Sequence, residues 1–377
     1  MAGLDRVLAF DPSTGVLRAE AGISLGEVIR RVAPHGWFLP TTPGTRFVTL
    51  GGAVANDVHG KNHHHMGTFG TNVRRIGLLR SDLGAVEVGP GDNAGLFPAT
   101  VGGLGLTGVI LWVEIQLTPI RSCFLDSERI SFGDLEEFRQ IAAESTEGFE
   151  HTVSWIDCAT ATREKVRGVF NRANWRDDGR FVLHDDRQRL SLPFDLPGFA
   201  LNPLTLRAFN EVYYRLQSAP PKQRTEHYTA TFYPLDAIGR WNGLYGRRGF
   251  FQHQCVTPEE AGVEPIGEML AAISAAGEGS FLAVLKTFGP KPSPGLLSFP
   301  RPGFTLALDF ANRGTRTYQL LARLDDIVAA AGGRIYPAKD GCMSPALFAA
   351  GYPQLDRFRA AIDPSFSSSF WRRVADD

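Results

Sequence analysis

The stretch Gly51-Gly52-Ala53-Val54-Ala55-Asn56-Asp57-Val58-His59-Gly60-Lys61-Asn62-His63-His64 packs tight-turn glycines, small residues, an imidazole and an amine into one short span. Glycine lets main-chain N–H groups come close to a phosphate, and a helix that starts there adds the positive end of its dipole. Glycines alone are weak evidence, since a tight turn needs them too. Core packing does not call for His59, Lys61 and Asn62, so the span reads as backbone held against a phosphorylated, redox-active ligand. The run His63 to His65 brings a metal to mind, but adjacent side chains diverge and a ligand set must converge, so no metal is expected.

Working outward, residues 6–10 and 16–21 read as a hairpin closed by Asp11-Pro12-Ser13-Thr14-Gly15. Ser24 with Glu27 forms a capping box for a helix whose buried face is Leu25, Val28, Ile29 and Val32. Pro43-Gly44-Thr45 is a rigid turn, and Thr49 caps the helix that carries Gly51 and Gly52. A second glycine cluster, Gly102 to Gly108, precedes residues 109–117, which are apolar enough for a strand buried on both faces. That cluster reads equally as tight strand-to-helix packing.

From about residue 124 the glycine density drops. Residues 228–233, 250–256, 281–288 and 304–310 are rich in aromatic and β-branched residues and are expected as strands of an antiparallel sheet. Gln252 and Gln254 share one face of such a strand, and Lys286 lies opposite Leu285, facing either solvent or a cavity. The Pro/Gly-rich segments 192–204 and 289–303 are expected to be mobile. A helix over 317–331, ended at Gly332-Gly333, a strand over 334–337 and the polar pair Lys339-Asp340 close the chain.

The 377 residues are 43% hydrophobic, ample for two cores, and 39 basic against 40 acidic residues leave no field to hold nucleic acid. Cys123, Cys158, Cys255 and Cys342 are far apart in sequence and read as reduced thiols. Met1 to Arg6 has no signal-peptide pattern, and the greasiest segment, 101–117, is broken by glycines and Glu114. With no signal peptide or transmembrane helix in the sequence, a cytoplasmic or peripheral membrane location is expected.

Pro43-Gly44-Thr45, Thr49-Leu50-Gly51-Gly52, His59-Gly60-Lys61-Asn62-His63-His64, Ala99-Thr100-Val101-Gly102-Gly103, Gln252-His253-Gln254, Leu297-Ser298-Phe299-Pro300 and Ala338-Lys339-Asp340 stand together in one order. In this the chain resembles the flavoprotein oxidase subunits of decaprenylphosphoryl-β-D-ribose 2-epimerases, within the vanillyl-alcohol-oxidase-like FAD proteins. The resemblance implies an α+β, two-domain fold of the FAD-binding PCMH type. Residues 1–123 and 334–377 would form the FAD domain, and 124–333 a substrate domain built on an antiparallel sheet.

The resemblance also implies site roles. Gly44, Thr49, Leu50, Gly51 and Gly52 would hold the diphosphate of a non-covalent FAD. Asn56, Asp57, Val58 and His59 would border the flavin, Ile110 the adenine, and Tyr336 the cofactor. Lys61, Trp155, Gln252, Gln254, Lys286 and Lys339 would line the substrate cavity, with Lys339, His59 and Lys61 catalytic. The reaction implied is oxidation of the 2-hydroxyl of a polyprenyl-phosphoryl-β-D-ribose, completed by an NAD(P)H-dependent keto-reductase partner. Peripheral membrane contact would come through 192–204 and 289–303. His59 suits proton transfer near neutral pH, and a lysine of lowered pKa would also serve.

Two departures accompany the resemblance. The sequence begins where the family's FAD domain is already under way, without counterparts of the first glycine-rich pyrophosphate loop and the tyrosine beside the flavin. Ala307, in Thr305-Leu306-Ala307-Leu308-Asp309, stands where known members carry a cysteine, a change expected to alter inhibitor sensitivity rather than turnover. Two other readings share these residues: a sugar-1,4-lactone oxidase of the aldonolactone type, marked by covalent flavin, and a cofactor-free, non-catalytic fragment, marked by a colourless protein.

Overall fold

The computed structural model describes residues 3–91, 95–185, 190–192, 195, 201–339 and 341–375. Most of the segment 192–204 expected to be mobile, and Asp340, lie outside the described residues.

The N-terminal hairpin forms as its turn chemistry demands. Asp11 accepts hydrogen bonds from the Ser13 amide and from the Ser13 and Thr14 hydroxyls, and joins Val7–Asp11 to Val16–Glu20. Within the turn Gly15 has φ +70° and lies against the Trp37 ring, where a Cβ has no room. Ser24 Oγ accepts the Glu27 amide at 3.1 Å to start the helix Leu25–Val32, and Thr49 Oγ1 accepts that of Gly52 at 3.2 Å to start Leu50–Ala55.

Among the described residues the hairpin belongs to a five-stranded antiparallel sheet. Its order is Val7–Asp11, Val16–Glu20, Val109–Gln116, Val73–Arg80 and Gly84–Val88. The central strand corrects the expectation of burial on both faces. Ile110, Val113 and Ile115 enter the core, but Trp112 and Glu114 are half-buried under Arg18, whose guanidinium lies 4.1 Å above the Trp112 ring and pairs with Glu114.

Among the described residues a second antiparallel sheet of eight strands runs in the order Gln223–His227, Phe124–Phe132, Gly168–Trp175, His151–Ile156, Val284–Phe288, Gly303–Ala311, Phe250–Pro258 and Arg334–Ile335. One face packs on the helices Leu135–Ser145, Glu264–Ala275, Thr315–Ala330 and Pro345–Gly351, through Phe138, Met269, Leu324 and Phe348. Three of the four expected strands are present. The fourth is a correction: 228–233 forms the short helix Tyr228–Phe232, capped by the His227 side chain, and the strand precedes it. Its aromatic residues look strand-like locally, but Tyr228 and Phe232 pack as a cluster on Phe38, an arrangement only tertiary contact imposes.

The segment 289–303 is likewise tied down. The Leu296 amide donates to Pro98 O, Leu297 and Phe299 are buried, and the Ser293 and Ser298 hydroxyls both donate to Asp57. Among the described residues no helix is long and apolar enough to cross a membrane. Cys123, Cys158 and Cys255 are buried, unbridged thiols.

Candidate active site

In a strand, side chains alternate between faces, so register decides which residues meet. Val284 stands opposite both Trp155 and Ala307, and Ala307 opposite Gln254, which places these four in one row across the large sheet. Two residues along their strands, Lys286 pairs with Thr305 and Gln252 with Asp309, on the same face. The opposite face carries Leu285, Leu306 and Cys255, fully buried in the core. One side of the sheet is therefore spent on stability, and the other presents polar groups.

The segment 56–61 lies against that polar face. His59 is buried, its Nε2 lies 2.9 Å from Gln254 Nε2, and its Nδ1 lies 3.2 Å from Lys286 Nζ. The Gln254 amide nitrogen also donates to Thr305 Oγ1 at 3.1 Å, while its Oε1 is buried without a partner. The Gln254 amide thus ties His59 to Thr305, and the other ring nitrogen faces the Lys286 amine. Phe288, Phe299 and Tyr336 surround the imidazole at 4.8, 5.9 and 5.6 Å, and the Tyr336 hydroxyl donates to Asn56 O at 2.9 Å.

Three amines surround this cluster. Burial, then the neighbouring charges of Lys339 and Lys61, pushes Lys286 down to about 7. Burial lowers Lys61 to about 8 against the attraction of Glu226, and its Nζ donates to Thr231 O. Lys339, in the turn after Arg334–Ile335, is lowered by burial and partly restored by Asp309. Asp309 itself is raised by burial to about 6, although Gln252 donates to it at 2.9 Å. His59 is pushed well below its ordinary value by burial and then by Lys286 and Lys339, so it is neutral at pH 7. A neutral imidazole, an amine poised at neutrality and further cationic amines around one face suit proton removal and the holding of negative charge.

Asp57 does not open into this cluster. It sits at φ +40°, fully buried, and accepts from Ser293, Ser298 and the Gly70 amide at 2.8 Å; burial still raises its carboxyl. Its task is to lock residues 57–70 to the loop 293–298. The second glycine cluster joins the same lock: the Gly102 and Leu104 amides donate to Val54 O and Ala55 O, and Gly102, at φ +72°, lies against the Ser298 backbone. Tight packing is the reading of that cluster which the geometry supports.

The idea of free amides at the start of Leu50–Ala55 also needs correction. The Leu50 N–H donates to Ile23 O and that of Gly51 to Ala21 O, while Gly52 serves the Thr49 cap. These amides are spent inside the fold, and the Leu50, Val58 and Ile110 side chains lie in the small-sheet core. Gly44 differs: a Cβ there would meet nothing within 4 Å. His63 and His64 turn apart, one accepting the Gly289 amide and the other reaching Phe149 O. Thr305, Asp309, Ser293 and Ser298 escaped sequence reasoning. Alternation through Thr305, Ala307 and Asp309 carries a signal for the first two; Ser298 stands in the Leu297-Ser298-Phe299-Pro300 motif without a role assigned to it, and Ser293 carries none. A cavity of about 600 Å³ lies beyond Asn62, lined by Phe38, Met66, His151 and Trp175, and none of the three lysines lines it.

Over 393 aligned residues the chain is 35% identical to the decaprenylphosphoryl-β-D-ribose oxidase of Mycolicibacterium smegmatis, covering 99% of this chain and 84% of that protein. The chain belongs to the decaprenylphosphoryl-ribose oxidase family. As a member of that family it is an FAD-dependent oxidoreductase, and residues 1–89 match the FAD binding domain family. An uncharacterized protein in the mprA 5′ region of Streptomyces coelicolor is 33% identical over 93% of this chain and all of its own length. A putative D-arabinono-1,4-lactone oxidase of Neurospora crassa matches at 25% over only 30% of this chain.

The unpartnered Gln254 Oε1, His59 and the amines offer donors and acceptors of the kind that the reactive end of an FAD would need. Of the residues that the resemblance assigns to the diphosphate, Gly44 has open space beside it, while the leading amides of Leu50–Ala55 are already bonded.

Proposed function

We propose that this protein oxidises the 2-hydroxyl of a polyprenyl-phosphoryl-β-D-ribose to the 2-keto sugar, the first half of an epimerisation to the arabinose donor. The observation that carries this reading is the cluster of His59, Gln254 and Lys286 at the polar face of the large sheet, with the charges of Lys61 and Lys339 near Lys286. FAD, when bound, supplies the hydride acceptor. Lys286, poised near neutrality, takes the hydroxyl proton, in preference to His59, which burial and the neighbouring lysines make a much weaker base. Gln254 fixes the imidazole and keeps Oε1 for a donor on the sugar. Lys61 and Lys339 meet negative charge on substrate and cofactor, while Trp155 and Gln252 bound the pocket.

In this reading residues 1–123 form an FAD domain and 124–333 a substrate domain, while 334–377, which the resemblance assigns to the FAD domain, packs Ile335, Phe348, Phe358 and Val374 into the large-sheet core. The C-terminal part touches both sheets, since Arg334–Ile335 pairs with Phe250–Pro258 while Asp363 accepts from the Ser81 hydroxyl. A keto-reductase using NAD(P)H completes the epimerisation, and the protein works in the cytoplasm or at the membrane surface, where its substrate resides. The test is anaerobic mixing of FAD-loaded protein with farnesylphosphoryl-β-D-ribose. Bleaching of the flavin with formation of the 2-keto sugar is expected; bleaching by an aldonolactone alone would replace this substrate.

A further inference from the structure

The helix Pro203–Ser218 is apolar on the side that faces away from the protein. Leu204, Phe209, Val212 and Leu216 leave between 43% and 76% of their surface exposed. A helix turns about 100° per residue, so Leu204, Ala208, Val212 and Leu216 follow one another along a single ridge, with Phe209 beside it. Exposed apolar side chains normally occur singly, and a contiguous stripe marks a contact surface.

The inner side of this helix is firmly anchored. Leu206 and Asn210 are buried, Asn210 Nδ2 donates to Asp157 Oδ1 at 2.7 Å, and Arg167 bridges Asp157 and Glu211 at 2.8 and 2.6 Å. The stripe is thus held outward by a fixed helix. It also adjoins the candidate active site: Tyr213 leans on the Trp155 ring at 4.8 Å, and Phe209 meets Phe281 edge-on at 4.7 Å. Trp155 begins the row that leads to Ala307 and Gln254. On and just beyond the helix the charges are Arg207, Arg215 and Lys222, all exposed, and Glu211, already shared by Arg167 and Arg215. The balance is cationic.

We propose that the outer face of Pro203–Ser218 docks the protein on an anionic lipid bilayer, bringing the Trp155 edge of the candidate site to the membrane. This rests on the lipid-linked substrate of the preceding section, because such a substrate keeps its tail in the bilayer while the sugar enters the pocket. An apolar ridge with cationic neighbours is the chemistry of an interfacial helix, which lies in the headgroup layer and binds reversibly.

The test is co-sedimentation of the full chain with phosphatidylcholine vesicles, with and without phosphatidylglycerol. Wild type is expected to sediment with the anionic vesicles. V212D/L216D, altered only at exposed positions, should partition about tenfold or more weakly with unchanged Tm, and R207E should weaken binding to anionic vesicles alone. Equal partition of wild type and V212D/L216D, or none by wild type, overturns the proposal. So does a wild-type dimer in sedimentation velocity that V212D/L216D dissolves, since the ridge would then belong to a second copy. If wild type binds vesicles through the ridge yet oxidises no prenylphosphoryl-ribose, the substrate reading fails and the docking face stands.

Discussion

The small sheet and the polar face of the large sheet meet along residues 50–61, and they treat hydrogen bonding in opposite ways. On the small-sheet side the leading amides of Leu50–Ala55 are consumed by Ile23, Ala21 and Thr49. On the large-sheet side Gln254 keeps a buried oxygen without a partner, and Lys286 stands beside a neutral imidazole. The glycine-rich stretch therefore marks where backbone must approach backbone. The proposed chemistry lies where polar groups have been left short of partners, an arrangement that costs stability and suits reactivity.

The strongest way to break this contrast is to remove the amines. Lys286→Met should slow single-turnover flavin reduction by about 10²- to 10⁴-fold, the range for a lost general base. The wild-type rate should rise with pH through about 7 as Lys286 loses its proton, and that limb should vanish in the variant. Stability supplies a second readout. Folding lowers this lysine from 10.5 to about 7, so between those values the unfolded chain binds the extra proton and the fold gains stability as pH rises. K286M should melt higher than wild type at neutral pH, with the gap closing toward pH 10.5. A variant with normal turnover and no change in either profile would move the chemistry off Lys286.

The opposite expectation applies to Asp57, whose task is structural. Asp57→Ala strands the Ser293 and Ser298 hydroxyls and the Gly70 amide, and should cost about 3–5 kcal/mol in denaturant unfolding. An unchanged midpoint would mean that the loop 293–298 is held by other contacts. Gly102→Ala is milder, about 1–3 kcal/mol for a side chain at φ +72° against backbone. Loss of FAD from that variant at unaltered Tm would return the glycine cluster to the cofactor.

The smallest effect belongs to Ala307. Ala307→Cys, in the row between Val284 and Gln254, should leave turnover within about threefold, as expected where no transition-state contact is removed. Maleimide should label the pocket of the variant and not of wild type, whose Cys255 lies on the buried face with its thiol raised to about 12. Pocket labelling of wild type would contradict the register described for these strands.

The sequence was most readable where one residue type has one local use. Ser24, Thr49 and the Asp11 turn each satisfy their own neighbourhood, and each was visible in advance. Residues 228–233 were not, because the partner that makes them a helical aromatic cluster, Phe38, lies some 190 positions away in the chain. The pairing of Gln252 with Asp309 follows from alternation once register is known, and register is set by the sheet as a whole. The resemblance named the site residues, but their grouping on one face and the spent amides of the helix emerged only from the three-dimensional arrangement.

The hydrogen bond between His59 and Gln254 joins residues 195 positions apart, and Asp57 reaches 241 positions to Ser298. During synthesis the N-terminal sheet can settle early, but the pocket cannot close until the ribosome has released the strand at 303–311 and the turn that holds Lys339. A chain cut short before that point lacks Thr305, Ala307 and Asp309 of the polar face and the amine of Lys339, so no shorter product assembles the proposed site.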